Sequence, residues 1–168
     1  MRLKESVEIS APPKAVWDYL ARPENYLRFM SGITRWETEG EQRNGLGARY
    51  RMLIRVGAAE VGGLIEFVEW NEPRDMAWTS VTGVDQRGRW RIRDAGDGRS
   101  RVELRYSYGV AGAGIFGWIS EKVAAPTIRR HLRRSLHQLK RQVEHDQLRA
   151  DAERRRIARE GSPAQSPG

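Results

Sequence analysis

The chain opens with a regular alternation of apolar and polar residues. This alternation runs over Leu3–Ser10 and is the pattern of a half-buried β-strand. The sequence Ala11-Pro12-Pro13 ends the strand, and proline suits the first turn of a helix. Apolar residues at helical spacing then predict a short helix over Lys14–Ala21 and a second over Pro23–Gly32.

From Ile33 to Val110 the apolar residues recur with a period of two, which predicts five or six further strands. Turn signals separate them, among them Asn44-Gly45, Asn71-Glu72-Pro73 and Ala95-Gly96-Asp97-Gly98. Because these strands follow one another without intervening helices, we expect an antiparallel meander. One face would be aromatic and aliphatic, and the other would carry Arg interspersed with Glu, which suits cross-strand ion pairs in water.

Near the C-terminus the period changes to that of a helix. One apolar stripe is formed by Ile128, Leu132, Leu136, Leu139 and Val143. Leu148 lies on the opposite side of the helical wheel, so we expect the docked part of this helix to end near His145. The sequence thus predicts a folded domain at residues 1–145, followed at 146–168 by a basic, charged helical extension and a tail whose composition favours disorder.

Length and composition agree with one folded domain. The 168 residues can bury a core, and six Trp and five Tyr argue against disorder. The absence of Cys excludes disulfides and thiolate zinc sites. The N-terminal residues lack the apolar segment of a signal peptide, and the longest weakly apolar stretch, Val110–Ile119, is about half a membrane span. We therefore expect a cytoplasmic protein without membrane insertion.

The net charge of +8 comes mainly from the last helix. Thr127–Glu160 contains eleven Lys or Arg against five Asp or Glu. A charge run of this kind is usually a solvated helix face, so nucleic acid is not the expected partner. Contact of this basic segment with RNA or with the surface of an anionic membrane stays open as an alternative function.

One glycine-rich segment, Gly112–Gly117, spells G-x-G-x-x-G. A dinucleotide site would need a βαβ unit around this motif, with a second parallel strand that carries an acidic residue. The motif here follows antiparallel strands and precedes the last helix. We therefore interpret it as a joint between strand and helix, and we expect no cofactor.

Motifs for catalysis or metal binding are also missing from the sequence. The three histidines, all on the last helix, are His131, His137 and His145, and their spacing does not match that of a metal site. No serine lies in a nucleophile-elbow context. The sheet carboxylates Glu60, Glu66 and Glu103 share the outward phase. The residues therefore indicate no metal and no catalytic residue.

The inward-facing residues of the strands and the last helix are the informative feature. Large aromatic residues there are typical of a plain core, but also of an apolar pocket in which a few polar groups orient a ligand. The candidate lining residues are Tyr50, Met52, Ile54, Val61, Ile65, Phe67, Trp78, Ser80, Trp90, Ile92, Leu104, Tyr106, Tyr108, Leu132, Ser135 and Leu136.

This arrangement resembles the START-like (SRPBCC) helix-grip superfamily, in particular its polyketide cyclase/dehydrase branch. The resemblance covers residues 1 to about 145, and the segments that carry it are Val7–Leu20, Arg22–Phe29, Gly63–Trp78, Gly88–Trp90 and Leu132–Leu139. It implies an α+β helix-grip fold, in which a curved antiparallel sheet of seven strands wraps around a long C-terminal helix and two short helices follow the first strand. It also implies a cavity for a hydrophobic small molecule, such as a lipid, sterol, polyketide or quinone.

Two functions fit such a cavity. The first is non-covalent binding of the hydrophobic small molecule. The alternative is a polyketide aromatase/cyclase or dehydrase that uses Tyr50, Tyr106 or Ser80 as hydrogen-bonding groups. The sequence leaves open the ligand's identity, whether a reaction is catalysed, and the oligomeric state.

Overall fold

The structure, a computed structural model, describes residues 2–108 and 121–160. Seven strands and three α-helices are described, with a 3₁₀ turn at Pro23–Asn25 before α2. The elements are β1 (Arg2–Ile9), α1 (Pro13–Leu20), α2 (Tyr26–Phe29), β2 (Ile33–Glu39), β3 (Arg49–Val56), β4 (Ala59–Asn71), β5 (Asp75–Ser80), β6 (Gln86–Gly96), β7 (Arg99–Tyr108) and α3 (Glu121–Glu160).

All strands form one antiparallel sheet in the order β1-β7-β6-β5-β4-β3-β2. Strands β2 to β7 form a meander, and β1 returns to pair with β7. The sheet is curved, with a concave face turned towards α3 and a convex face turned towards solvent. The predicted α+β helix-grip fold is therefore confirmed, including the two short helices after the first strand.

A bulge in β4 changes which of its residues face the core. The register shifts between Phe67 and Glu69, so that Glu69 pairs with Ala77 and Trp70 pairs with Met76. Strict alternation would place Glu69 on the same side as Phe67, but the extra residue turns Glu69 outwards. As a result both aromatic rings of this strand point inwards, and Phe67 contacts Trp70 edge-on at 5.4 Å between ring centroids.

Helix α3 packs on the concave face through the predicted stripe. All five of its residues are buried: Ile128, Leu132, Leu136, Leu139 and Val143. Polar contacts fix the helix along β1, where Arg133 Nε donates to Glu5 Oε2 at 3.0 Å and Lys140 Nζ donates to the Glu8 carbonyl at 2.7 Å. The helix is thereby held along β1, an edge strand of the sheet.

Beyond the stripe, α3 continues as one helix to Glu160. Most of its residues after His145 are exposed, although Gln147 and Asp151 are partly buried. The division of the chain at residue 145 stays a prediction. The predictions for Gly112–Gly117 and for the tail at 161–168 lie outside the described residues.

Candidate ligand-binding site

The candidate lining residues come together on the two surfaces that face each other. Those of β3 to β7 lie on the concave face, and those of α3 lie on its buried side. Thirteen of the sixteen are buried, and the three that are partly exposed are Val61, Ser80 and Tyr108.

Stacked aromatic rings fill the end of the concave face near β2. Tyr26 and Trp36 stack with their ring centroids 4.0 Å apart, and Trp36 and Tyr50 stack at 5.0 Å. The Tyr50 hydroxyl donates to the Arg43 carbonyl, which directs it towards a loop. Burial raises the pKa of Tyr50 to about 12, so its phenol is neutral at pH 7. This end of the face is therefore closely packed, and the Tyr50 hydroxyl already has a hydrogen-bond partner.

Polar groups are clustered at the other end, across β5, β6 and β7. The Tyr106 hydroxyl donates to Gln86 Oε1 at 2.6 Å, and the Gln86 backbone N–H donates to Ser80 Oγ at 3.2 Å. Gln86 is only 1% exposed. We call Ser80, Gln86, Tyr106 and the adjacent Trp78 the polar cluster. It is the kind of small hydrogen-bonding group that orients a ligand in an apolar pocket.

Trp78 joins this cluster because a glycine lies beneath its ring. In the sheet register Gly88 lies between Trp78 and Tyr106. A Cβ on Gly88 would lie 1.9 Å from Trp78 Cζ2 and 2.2 Å from Cε2, so only glycine lets the indole lie directly against β6. The indole nitrogen is bonded to Cε2 and therefore also lies next to Gly88. It has no hydrogen-bond partner among the described residues, and neither does Gln86 Nε2.

The cluster can donate hydrogen bonds but does not supply a base at neutral pH. Burial, with a smaller contribution from Tyr108, raises the pKa of Tyr106 far above its ordinary value. The phenol is therefore neutral. The cluster can polarise or hold an oxygen atom of a ligand, but abstraction of a proton by Tyr106 is disfavoured.

Ser135 was a candidate from the sequence, but its hydroxyl has a structural role. It donates to the His131 carbonyl at 2.7 Å and accepts from the Ser31 backbone N–H at 2.9 Å. The His131 ring lies against Gly32, with Nδ1 3.1 Å from Ser31 Oγ. These contacts attach α3 to the loop between α2 and β2.

Sequence reasoning missed Gln86 and Gly88. Both share the inward phase of β6 with Trp90 and Ile92, so the alternation itself could have identified them. Glutamine is mostly exposed in proteins, so its residue type gave no signal for the buried position of Gln86.

A groove of about 930 Å³ opens on the convex face. Its walls carry the cationic side chains of Arg2, Lys4, Arg87, Arg89, Arg91 and Arg105. Some of these are paired, as Arg89 is with Glu69 and Arg91 with Asp75. The charged walls of this groove suit an apolar ligand less well than the concave face does.

In residues 2–108 and 121–160 no three His, Asp or Glu side chains are grouped as a metal site would require. No helix within these residues is long and apolar enough to span a membrane.

Comparison with known families gives a match to a model described as polyketide cyclase/dehydrase and lipid transport, over residues 1–144. No curated protein matches the sequence closely.

Solved structures of similar shape come from several bacteria. A protein from Thermus thermophilus superposes with a TM-score of 0.72 at 21% identity, covering 85% of this chain and 97% of the other. The Zhui aromatase/cyclase from Streptomyces sp. R1128 gives 0.73 at 18% identity, covering 86% and 93%. A START superfamily protein from Mycobacterium smegmatis gives 0.64 at 15% identity, covering 84% and 98%. At these identities the likeness shows the fold alone.

Proposed function

We propose that this chain, which belongs to the polyketide cyclase/dehydrase and lipid transport family, binds an apolar small molecule between the concave face of its sheet and α3. The ligand would be of lipid, sterol, polyketide or quinone type. Binding would be non-covalent, with Leu132 and Leu136 of α3 on one side of the ligand and inward-facing residues of β4 to β7 on the other.

The observation that carries this proposal is the polar cluster within an otherwise apolar face. Protein interiors rarely leave buried polar groups unpartnered, and Gln86 and Trp78 both carry such groups. Trp36 and Trp90 carry such groups too, so the informative residue is Gln86, where a plain core would place an apolar side chain. A ligand pocket, by contrast, combines apolar walls with a few hydrogen-bonding groups that fix the ligand's orientation.

The alternative function is that of an aromatase/cyclase or dehydrase in the same cavity. The polar cluster favours this enzymatic function because its hydrogen-bonding groups, among them Ser80 and Tyr106, could hold a carbonyl of a flexible chain near a reacting carbon. The raised pKa of Tyr106 favours binding over proton transfer, so we place binding first. Contact of the basic C-terminal segment with RNA or an anionic membrane is a further proposal, and salt-dependent binding that is lost on deletion of the tail would support it.

The test is to identify small molecules that remain bound through purification, by mass spectrometry of a denatured extract. We expect an apolar compound from the parent protein and none from Leu136→Trp, whose larger ring would occupy the cavity. Leu148→Trp makes the same chemical change at a position that is 69% exposed, and should leave the compound bound.

Circular dichroism would establish that both variants are folded. Leu136→Trp should cost little stability if the ring enters an existing cavity, whereas overpacking a dry core costs about 1–3 kcal/mol. Marked destabilisation, together with no bound compound in the parent protein, would contradict the proposal.

A further inference from the structure

Three donor hydrogens of the polar cluster have no partner among the described residues. With Tyr106 donating to Gln86 Oε1, the two hydrogens of Gln86 Nε2 and that of Trp78 Nε1 remain free. If the amide is rotated, Gln86 donates one hydrogen to the Tyr106 oxygen, and the phenol hydrogen is freed instead. The number of free donor hydrogens is three in either arrangement.

These donors lie close together on one face. Side chains two residues apart on a strand point to the same side and are about 7 Å apart, as Gln86 and Gly88 are. The Trp78 indole covers Gly88, and Tyr106 flanks it on the neighbouring strand. The donors of Trp78 and Gln86 can therefore reach the same small group of atoms.

The charge around this point excludes an anionic group as the natural acceptor. The arginines of β6 alternate to the convex side, and the inward positions of β5 to β7 beside the cluster are uncharged, the acidic Asp94 lying at the far end of β6. The charged group that faces the cluster is Asp85, whose Oδ1 lies 3.5 Å from Ser80 Oγ. Among the described residues no cation shares this face beside the cluster, so a buried carboxylate would be uncompensated and would be repelled by Asp85.

We infer that Gln86 and Trp78 form a subsite for a neutral carbonyl oxygen, so that the ligand is an apolar molecule with a ketone, ester or quinone carbonyl. This inference rests on the proposed function and narrows its ligand class. A carbonyl oxygen accepts hydrogen bonds through two lone pairs and donates none. It therefore matches a cluster whose unpaired hydrogen-bonding groups are mainly donors. Lipids that end in a carboxylate, and hydrocarbons without an acceptor, would bind less tightly.

Three naphthalenes of similar size test the subsite: 2-acetylnaphthalene with a ketone, 2-isopropylnaphthalene without an acceptor, and 2-naphthoate with a carboxylate. Their affinities can be measured by calorimetry or by tryptophan fluorescence. We expect the ketone to bind about tenfold more tightly than the hydrocarbon, since a net gain of about 1.4 kcal/mol corresponds to that factor. The carboxylate should bind more weakly than the ketone.

The triple variant Gln86→Met, Trp78→Phe and Tyr106→Phe puts apolar side chains in place of the donors, and Tyr106→Phe is included because loss of Gln86 Oε1 would free the phenol hydrogen. We expect the ketone and the hydrocarbon to bind this variant with about equal affinity. The matched control is Trp36→Phe, which removes another buried and unpartnered indole N–H but lies at the opposite, stacked end of the face. It should leave the preference unchanged.

Nuclear magnetic resonance gives a second readout in the parent protein and decides the question if the triple variant does not fold. The indole N–H resonance of Trp78, identified by its loss in Trp78→Phe, should move further downfield with the ketone than with the hydrocarbon, because only the ketone accepts a hydrogen bond. Equal affinities of ketone and hydrocarbon would overturn the subsite but not the proposed function. Tightest binding of the carboxylate, or a preference for the ketone that is unchanged in the triple variant, would do the same. Binding of none of the three probes would contradict the proposed function itself.

Discussion

The two faces of the sheet use alternate residues of the same strands and yet differ completely in chemistry. On β6 the buried Trp90 and Ile92 point towards α3, while Arg91 and Arg93 point towards solvent. The concave face holds the core and the polar cluster. The convex face carries cations held by ion pairs, such as Arg93 with Asp75 at 2.9 Å.

The difference indicates which face of the sheet stabilises the fold and which contributes little to stability. Exposed ion pairs contribute about 0–1 kcal/mol each, whereas removing or crowding a buried side chain costs several times more. We therefore expect substitutions on the concave face to lower the free energy of unfolding more than substitutions on the convex face.

The largest expected effect is that of Gly88→Ala. Its added Cβ would lie 1.9 Å from Trp78, so the indole would have to leave its place on β6. We expect a loss of about 3 kcal/mol in the free energy of unfolding, at the upper end for overpacking. Arg87→Ala, one position away on the convex face, should change it by less than about 0.5 kcal/mol. Urea unfolding measures both, and equal effects would contradict the contrast between the faces.

A second test compares carboxylates on the two faces. Glu5 shares the inward phase of β1, has a side chain that is 16% exposed, and lies within ion-pair distance of Arg129 and Arg133 of α3. Glu66 is on the convex face, and its one ion-pair partner among the described residues is Arg49. We expect Glu5→Gln to cost about 1 kcal/mol, because it weakens the attachment of α3, and Glu66→Gln to cost at most half of that. Thermal unfolding at low and high salt tests this. The difference in stability between the parent and Glu5→Gln should be smaller at high salt, because salt screens the ion pairs.

A third test concerns pH at the place where α3 covers the α2–β2 loop. Burial, with the nearby Arg134 and Arg130, holds the pKa of His131 below its ordinary value, so the folded state favours the neutral ring. As the pH falls through about 6.5 the unfolded chain takes up the proton first, and stability is lost from there downwards. We expect His131→Gln to show a smaller loss of stability than the parent between pH 7.5 and 5.5. Parallel profiles of the parent and the variant would contradict this.

Much of the fold could be predicted from alternation, because the core of a one-sided sheet imposes a period of two on its strands. That period assigned Tyr50 and Met52 to the core, both of which are buried. It failed where the backbone departs from it, as at the bulge that turns Trp70 inwards. A bulge depends on the packing of neighbouring strands and leaves no clear signal in its own sequence.

The candidate site was less accessible to sequence reasoning. The partner of Ser135 lies more than one hundred residues away on the α2–β2 loop, so its structural hydrogen bonds could not be foreseen from the helix pattern. The polar cluster likewise depends on register, since Gln86 and Tyr106 meet only because β6 and β7 pair as they do. Alternation identifies which residues face inwards, but pairing between distant strands determines which of them share hydrogen bonds.

The smallest expected effect is that of removing the part of α3 beyond the sheet. Helix residues on the concave face are buried as far as Val143, whereas the following segment contributes the exposed Leu148 and Ile157. Its contact with the domain is limited to a shallow crevice, in which Gln147 and Ala150 lie beside α1. We expect truncation after His145 to change the free energy of unfolding by less than about 1 kcal/mol, as for a surface change. Urea unfolding over a range of protein concentrations would test this. A loss of several kcal/mol that is independent of concentration would show that the extension docks on its own domain. A loss that depends on concentration would show that it docks on a second copy of the chain.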